Sequence, residues 1–407
     1  MNAPEPRSYW HLTFPITLET QPLPESADLV VVGAGVLGVN AAYAGARAGA
    51  RVVLIDQFGP AEGATGRNGG FLTEGTALGY ARTLALFGHE TARAMWQLTV
   101  DNRALARQII GEEGLDCWYR ETGHLDFSLD AQDWEADQAS VEALRRDGFY
   151  AESLTPAQTQ ALVGTPLSAE IVGARYTPQC GLLHSSRLAG GLAAAAVRRG
   201  AVLARATVTG IEDERVITDQ GTITARGIVI AANAWTHRLA PVTRELIVPV
   251  RGEALSYAPH EPVFGPGMGT SVTPTGEYWQ QTLDGSIVIG GCRAVAPNRD
   301  VNVLSNVATP GTQAAIEQVL PRLFPALRGL SVQHRWAGPM AFTPDYTPIA
   351  DRAPGARNAW FAGGFCGLGM PFGFAFGKRL AESALSGSPS AGLRPFRLGR
   401  FAERAMP

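Results

Sequence analysis

Apolar and polar positions near the start of the chain form a strand–helix–strand pattern. Residues 29–32 are an unbroken apolar run, which predicts a strand buried in a parallel sheet. An alanine-rich stretch follows and predicts a helix, and a second apolar run at residues 52–55 predicts the next strand. The pattern has the length of one βαβ unit, about 30 residues. It predicts that an α/β fold begins here.

The turn between the first strand and the helix is rich in glycine and reads G-A-G-V-L-G. Gly33 permits a tight turn, Gly35 lets the backbone approach a pyrophosphate, and Gly38 lets the helix pack closely on the sheet. The helix N-terminus offers free N–H groups and the positive end of its dipole to phosphates. Asp56 ends the second strand, where its carboxylate can accept hydrogen bonds from ribose hydroxyls. Together these features predict a dinucleotide site rather than an unrelated glycine-rich turn.

Helical and strand patterns alternate along the rest of the chain. Helical apolar spacing occurs at residues 81–112, 130–147, 187–199, 312–320 and 371–385. Strand patterns occur at residues 123–129, 201–211, 215–218, 222–231, 248–257, 276–282 and 286–291. The turn at residues 283–285 separates the last two strands and suggests a hairpin. Segments of two sheets are therefore expected to interleave along the chain.

A second glycine-rich loop follows Asp56 closely, and residues 62–70 read E-G-A-T-G-R-N-G-G. A nicotinamide enzyme has no evident use for this loop, whereas a flavin enzyme needs a chain of little bulk beside the isoalloxazine ring. The loop resembles the D-amino-acid oxidase superfamily of FAD-dependent oxidoreductases. It is most similar to the γ-glutamylputrescine oxidase branch, whose usual form is G-A-S-G-R-N-G-G. The segment Ser8-Tyr9-Trp10 also resembles that branch.

Later motifs continue the resemblance, which runs from about residue 9 to residue 385. The segments concerned are G-L-L-H-S-S-R-L at residues 181–188, I-V-I-A-A-N-A-W at 228–235, V-P-V-R-G-E at 248–253, T-P-D at 343–345 and G-G-F-C-G-L-G at 363–369. Two positions depart from the usual pattern, because Ser185 replaces a proline and Glu253 replaces a glutamine.

The resemblance implies an α/β fold of the D-amino-acid oxidase type. A Rossmann-like FAD-binding domain is expected to interleave with a substrate domain built on an antiparallel sheet. The FAD-binding domain is assigned to residues 1–85, 175–240 and 345–407. The substrate domain is assigned to residues 86–174 and 241–344.

The implied cofactor is FAD, bound without a covalent link. Related sarcosine oxidases attach flavin through a cysteine where this chain has Gly338, and the nearest cysteine, Cys366, lies in the other flavin loop. That C-terminal loop leads into a helix whose N–H groups would face the N1–C2 edge of the flavin. The expected cofactor contacts are Gly33, Gly35, Val36, Leu37, Gly38, Asp56, Gln57, Thr65, Gly66, Arg67, Asn68, Gly69, Gly70, Val208, Ala232, Gly338, Gly364, Phe365, Gly367, Leu368 and Gly369.

Two carboxylate anchors of the superfamily are missing. Met340 stands where amino-acid oxidases carry an arginine, and Pro371 stands where sarcosine oxidases carry a lysine. A buried carboxylate without a cationic partner is costly. The resemblance therefore implies oxidation of a CH–NH or CH–NH2 donor without that carboxylate, by hydride transfer to flavin N5 and imine hydrolysis. Glu253 and Glu277 are expected to face a polyamine-like substrate.

Two alternatives stay open at this point. One is an amino-acid or N-methylamino-acid oxidase or dehydrogenase that anchors a carboxylate through Arg67, Arg251 or Arg293. The other is a flavin-binding redox protein without turnover. Flavin reduction by a panel of amines would separate a catalyst from a sensor.

The candidate substrate-site residues each have a structural alternative. They are Arg251, Tyr278, Trp279 and Met340. Arg251 could bind an anion or tie two strands together. The two aromatic residues could cage an amine by cation–π contact or pack within a sheet. His184 could carry a proton, but a packed histidine beside a turn is favoured.

Composition adds limits to this picture. The chain has 407 residues, a net charge of −3 and no cluster of basic residues, which argues against a nucleic-acid partner. No apolar run has membrane-spanning length, and the first residues lack a signal-peptide pattern. Four scattered cysteines predict reduced thiols in a cytoplasmic protein, with no metal site. The expected partners are a small amine and an electron acceptor, either oxygen or another oxidant, and the oligomeric state stays open.

Overall fold

The computed structural model describes residues 6–402 and contains two large sheets with helices packed on them. Residues 1–5 and 403–407, which fall within the predicted FAD-binding domain, lie outside the described residues. The α-helices are α1 (Tyr9–Thr13), α2 (Val36–Arg47), α3 (Tyr80–Phe87), α4 (His89–Glu112), α5 (Ala131–Arg146), α6 (Pro156–Gln160), α7 (Ser185–Arg198), α8 (Pro310–Leu323) and α9 (Met370–Ser386).

The strands divide between the two large sheets and one small ribbon. They are β1 (Ser26–Val32), β2 (Val52–Asp56), β3 (Phe71–Leu72), β4 (His124–Ser128), β5 (Glu152–Leu154), β6 (Gly173–Thr177), β7 (Gly181–Leu182), β8 (Val202–Arg205), β9 (Val208–Glu212), β10 (Arg215–Thr218), β11 (Gly221–Ile230), β12 (Val248–Tyr257), β13 (Gly267–Thr270), β14 (Glu277–Gln281), β15 (Ile287–Gly291), β16 (Val332–Phe342), β17 (Ile349–Arg352) and β18 (Ala359–Gly363).

The first sheet is the Rossmann-like sheet, with the order β17-β18-β11-β1-β2-β8. Strand β1 pairs in parallel with β2 and β11, and the hairpin β9–β10 extends β11. Successive residues of β1 point to opposite faces, so Leu29 and Val31 pack with α2, α7 and α9 whereas Val30 and Val32 pack in a second core. Burial on both faces explains the unbroken apolar run that predicted this strand.

The second sheet, called the substrate sheet below, has the order β16-β12-β15-β14-β13-β4-β6-β5. Its pairs are antiparallel except that of β13 with β4. One face packs on α8 around a core that includes Trp279 and Phe324. The opposite face, called the flavin-facing side, lies against the loop at residues 62–70 and the ribbon of β3 and β7. The predicted α/β fold with an interleaved antiparallel sheet is confirmed in outline.

Most predicted elements are present, and one helix is divided. The expected helix at residues 81–112 is α3 followed by α4, because Gly88 between them has a φ of +76°. Such a backbone conformation breaks the helix and suits glycine. The predicted hairpin at residues 283–285 joins β14 to β15, as expected.

The division into domains stays a prediction, but packing argues for two revisions of its boundaries. Residues of α4, such as Met95, Leu98 and Ile109, share a core with α2 and α9 of the Rossmann-like sheet. The segment 89–112 therefore packs with the cofactor domain, although the sequence pattern assigned it to the substrate domain. Conversely, β6 begins at Gly173 and carries residues 175–177 into the substrate sheet.

No helix within the described part of the chain is both long enough and apolar enough to cross a bilayer. The four cysteines are all buried and free of disulfide bonds. Burial raises the pKa of the Cys366 thiol to about 11.

Glu253 joins the substrate sheet to α8. Its carboxylate accepts hydrogen bonds from the Thr309 N–H and hydroxyl, at 2.7–3.1 Å, and from the Gln313 amide at 3.0 Å. Thr309 is the residue before α8, so the buried negative charge also lies at the positive end of the helix dipole. The carboxylate therefore stabilises the packing of α8 on the sheet.

Substitution of Glu253 tests this contact. Glu253→Gln is expected to lower the free energy of unfolding by about 1–3 kcal/mol, because an amide cannot satisfy every donor that the carboxylate accepts. Urea unfolding measures the change, with exposed Glu261→Gln as the matched control. Equal stability of the two variants would contradict the structural role.

Candidate functional site

The first glycine-rich turn has no room for side chains. Gly33 has a φ of +104°, and a Cβ there would lie 2.6 Å from the Ala231 carbonyl oxygen. A Cβ at Gly38 would overlap the Gly33 carbonyl. Both positions therefore require glycine. Strand β11 ends beneath this turn, and Ala232 lies two residues beyond the end of the strand.

The N-terminus of α2 presents backbone donors beside this turn. Gly35 precedes the helix without a side-chain cap, and Thr65 Oγ1 accepts from the Val36 N–H at 2.8 Å. The N–H groups of Leu37 and Gly38 lie in the first turn, where a helix supplies no carbonyl to accept them. A Cβ at Gly35 would stand 3.1 Å from Thr65 Oγ1, so glycine keeps this space open. The arrangement fits a pyrophosphate.

Asp56 lies at the end of β2, held by three backbone donors. Its carboxylate accepts from the N–H groups of Ala34 at 2.8 Å, Phe58 at 2.8 Å and Gly59 at 2.9 Å. Burial raises the pKa of Asp56 despite these bonds. A carboxylate oriented in this way next to the glycine turn suits the ribose of a dinucleotide.

A surface depression lies beside the end of β2, next to β8. Gln57, Arg205 and Thr207 line it, and Val208 begins the adjacent strand β9. The structure therefore brings Gln57 to the side of the turn where the adenosine end of FAD is expected. Val208 packs against the second core of the Rossmann-like sheet, and its cofactor contact stays a prediction.

The second glycine-rich loop is fastened to β16. Arg67 is buried and donates to the carbonyls of Glu62 and Gly63. The Arg67 carbonyl accepts from Trp336 Nε1 at 2.9 Å. Gly338 leaves room for the Arg67 side chain, because a Cβ there would lie 2.5 Å from Cδ. Arg67 thus holds the loop, rather than projecting freely as a carboxylate anchor.

The remainder of this loop lies against β14. Gln280 Nε2 donates to the carbonyls of Gly69 and Gly70. A Cβ at Gly69 would stand 2.8 Å from Tyr278 Cδ2, and Gly70 has a φ of +73°. On the other side of the loop, Trp10 Nε1 donates to the Asn68 carbonyl at 2.6 Å. The loop is therefore closed in by the substrate sheet and by α1.

The C-terminal loop crosses β16 and enters α9. The Cys366 N–H donates to the Ala341 carbonyl at 2.8 Å, and Gly369 precedes the helix without a side-chain cap. Phe365 is buried and packs on Phe372 of α9. Gly364 precedes these contacts, and Gly367 and Leu368 lie between Cys366 and the start of α9. Pro371 has no N–H, and the Phe372 and Gly373 N–H groups donate to the Gly369 carbonyl. The Met370 N–H is therefore the donor that the helix start offers at the expected flavin edge.

Asn102 anchors this helix start and was missed by the sequence analysis. It is fully buried on α4, and its Nδ2 donates to the Met370 carbonyl at 3.0 Å. Its Oδ1 accepts from the N–H groups of Phe374 and Ala375, each at 2.9 Å. The sequence signal that could have revealed Asn102 is an amide within the apolar stripe of α4. A buried amide requires hydrogen-bond partners.

Met340 lies between the substrate sheet and the C-terminal loop. A Cβ at Gly252 on β12 would come within 2.8 Å of its terminal methyl, and one at Gly367 would lie 3.9 Å from its sulfur. The structure therefore brings Met340 next to the predicted flavin contacts.

The two aromatic candidates on β14 face opposite sides of the sheet. Tyr278 contacts Phe71 on the flavin-facing side, with ring centroids 5.8 Å apart. Trp279 is fully buried on the α8 side, stacked on Phe127 at 5.8 Å. Strand alternation excludes a shared role. We therefore correct the assignment of Trp279 to the substrate site.

The three candidate arginines differ in their partners. Arg251 donates to both Asp300 carboxylate oxygens, at 2.8 and 3.0 Å, and to the Val307 carbonyl. These bonds tie β12 to the segment at residues 300–307, and the substrate contact of Arg251 stays a prediction. Arg293 lies 4.9 Å from the Phe342 ring centroid, forms no ion pair within residues 6–402, and has a pKa lowered by burial.

Glu253, Glu277 and His184 also have structural partners. Glu253 contacts α8, and Glu277 accepts hydrogen bonds from the Thr273 N–H and hydroxyl. Contrary to the expectation from the sequence, neither glutamate lies on the flavin-facing side. His184 is buried and caps α7, where its Nδ1 accepts from the Arg187 N–H. Burial lowers its pKa to about 3, which agrees with the packed alternative.

Comparison with known proteins agrees with this geometry. The family described as FAD dependent oxidoreductase matches residues 28–383. A probable oxidoreductase OrdL of Rhizobium meliloti is 28% identical, with 92% of this chain and 86% of that protein covered. The gamma-glutamylputrescine oxidoreductase of Escherichia coli is 25% identical, with 88% and 83% covered.

Solved structures share the fold. The glycine oxidase of Geobacillus kaustophilus superposes with a TM-score of 0.80 at 21% identity, covering 93% of this chain and 99% of that one. The L-proline dehydrogenase of P. horikoshii gives a TM-score of 0.79 at 24% identity, with the same coverage. The protein belongs to the D-amino-acid oxidase family of FAD-dependent oxidoreductases, enzymes that act on amines and amino acids, and FAD is its cofactor.

Proposed function

We propose that this enzyme oxidises the C–N bond of an amine whose reacting carbon carries no carboxylate. The position of Met340 carries the proposal. Its thioether lies beside Gly252 and Gly367, where related amino-acid oxidases present an arginine. A carboxylate next to this apolar side chain would lose water without gaining a cationic partner, which is costly.

The reaction divides between the cofactor and the chain. FAD would supply the acceptor for a hydride from the carbon next to the amine nitrogen, and the imine left on the substrate would be hydrolysed by water to a carbonyl compound and an amine or ammonia. The chain orients the C–H bond and excludes water from the reacting atoms. Tyr278 serves this role on the flavin-facing side, together with Met340. The electron acceptor is oxygen or another oxidant.

One relative, that of Escherichia coli, supports an amine substrate. The Escherichia coli relative is named for γ-glutamylputrescine, which contains a primary amine. A second candidate function is oxidation of an amino acid or N-methylamino acid. It is favoured by one observation, because Arg293 has no carboxylate partner within the described residues and lies beside Phe342 on the strand of Met340.

The substrate class is tested by anaerobic flavin reduction. Primary and γ-glutamylated amines are expected to reduce the flavin faster than D-amino acids, glycine or sarcosine at equal concentration. The absorbance of oxidised flavin gives the rate. Faster reduction by the amino acids would overturn the missing-anchor argument, and no reduction by any compound would favour a redox protein without turnover.

Paired variants separate the two candidate functions. Met340→Arg is expected to improve amino-acid reduction of the flavin at least tenfold by supplying the missing partner, and to slow amine reduction. Arg293→Met is expected to leave the ratio of amine to amino-acid rates within about threefold if Arg293 is no anchor. A tenfold loss confined to amino acids would establish Arg293 as the anchor instead.

The FAD is expected to be bound without a covalent link. Attachment through sulfur requires a thiolate, and burial raises the pKa of Cys366, the cysteine in the C-terminal loop, to about 11. Acid precipitation should therefore release the yellow colour into the supernatant. Colour retained in the pellet of both the parent protein and Cys366→Ser would indicate a link elsewhere, and colour retained in the parent alone would identify Cys366.

A further inference from the structure

A row of side chains crosses the substrate sheet on its flavin-facing side. Strand register places Tyr278 of β14 opposite Gly269 of β13, Gly269 opposite Asp126 of β4, and Asp126 opposite Arg175 of β6. Paired residues share a face of the sheet. The row therefore leads from the loop of Gly69, next to Tyr278, to an ion pair two strands away.

Glycines leave space for the two functional side chains. A Cβ at Gly290 would overlap the Tyr278 hydroxyl, and a Cβ at Gly269 would lie 2.6 Å from Asp126 Oδ1. Tyr278 thus lies over β15, and Asp126 lies over β13.

At the Asp126 end of the row, one arginine lies beside two carboxylates. Arg175 pairs with Asp126 and lies 3.8 Å from Asp137, while His124 Nε2 lies 3.3 Å from Asp126. One guanidinium therefore faces two carboxylates. Burial opposes ionisation of Asp126, but Arg175 and His124 hold its pKa below the ordinary value. Asp126 thus carries its charge at neutral pH.

Polar groups along the row remain available for a ligand. The accessible fraction of the Asp126 side chain is 31%. Within residues 6–402, the Tyr278 hydroxyl has no hydrogen-bond partner, and desolvation alone raises its pKa to about 12. The buried Nδ1 of His124 likewise has no protein partner. Phe71 packs edge-on against His124 and Tyr278 and supplies an apolar surface between them.

We propose that Asp126, with Tyr278 and Phe71, binds the distal ammonium end of a diamine or polyamine while its other amine reacts at the flavin. The inference rests on the proposed function and names its substrate class. It transfers to Asp126 the role that the sequence had suggested for Glu253 and Glu277, both of which bind other parts of the chain. The Tyr278 ring can add a cation–π contact along the path.

A cation fits this subsite better than an anion. The Arg175 charge is already opposed by Asp126 and Asp137, so an incoming carboxylate would meet two like charges. An ammonium would instead add a charge-assisted hydrogen bond to the Asp126 carboxylate, beside its contacts with Arg175 and His124.

The test compares diamines with monoamines of equal chain length. Putrescine and cadaverine are measured against n-butylamine and n-pentylamine, and kcat/KM is taken from flavin reduction and steady-state turnover. The parent enzyme is expected to favour the diamine at least tenfold. Asp126→Asn is expected to reduce that preference about tenfold, mainly through KM, because it removes the charge but keeps the shape. Exposed Asp101→Asn is the matched control and should keep the preference.

The outcomes distinguish the subsite from the reaction. A preference for diamines that Asp126→Asn leaves unchanged would overturn the subsite while amine oxidation stands, as would equal use of diamines and monoamines by the parent enzyme. Absence of flavin reduction by every amine would overturn the proposed function itself. Asp126→Glu should retain at least half of the preference. If Asp126→Asn does not fold, Tyr278→Phe is expected to lower the same ratio, and an unchanged ratio in that variant would count against the subsite.

Discussion

The attachment of the second glycine-rich loop to β16 is the contact on which the active site depends. The buried Arg67 side chain bonds to carbonyls of its own loop, and its backbone carbonyl receives the Trp336 indole N–H. Gly338 lets the arginine pass against the strand. This contact joins the cofactor domain to the substrate sheet. It sets the distance between the flavin loop and the side chains that face it.

Strand alternation then decides what each residue of the substrate sheet can do. Neighbours such as Tyr278 and Trp279 point to opposite faces, so one can meet substrate while the other fills the α8 core. The same alternation turns Glu253 towards α8 and Asp126 towards the flavin-facing side. The charged side chains Asp126 and Arg175 on that side therefore belong to β4 and β6, which are distant in sequence from Glu253.

The two helix starts beside the cofactor are built differently. At α2, glycine and Thr65 shape the approach to phosphate, and local sequence supplies nearly everything. At α9, the first turn is held by Asn102, an amide from a helix far earlier in the chain. Backbone donors near a flavin are useful only when they are fixed in advance. The packing of α4 on α9 thus contributes to the chemistry as well as to stability.

The sequence by itself determined the cofactor unit and the class of fold. The glycine turn, the two apolar runs and Asp56 are close in the chain, and their roles follow from backbone geometry and strand burial. The sequence also showed that Met340 stands where amino-acid oxidases of this family carry an arginine. The sequence could not assign faces on β12 and β14, nor bring Asp126 and Arg175 together, because both depend on register between distant strands. A shift of the register by one residue would turn every side chain of a strand to the opposite face of the sheet. Only tertiary packing selects the register.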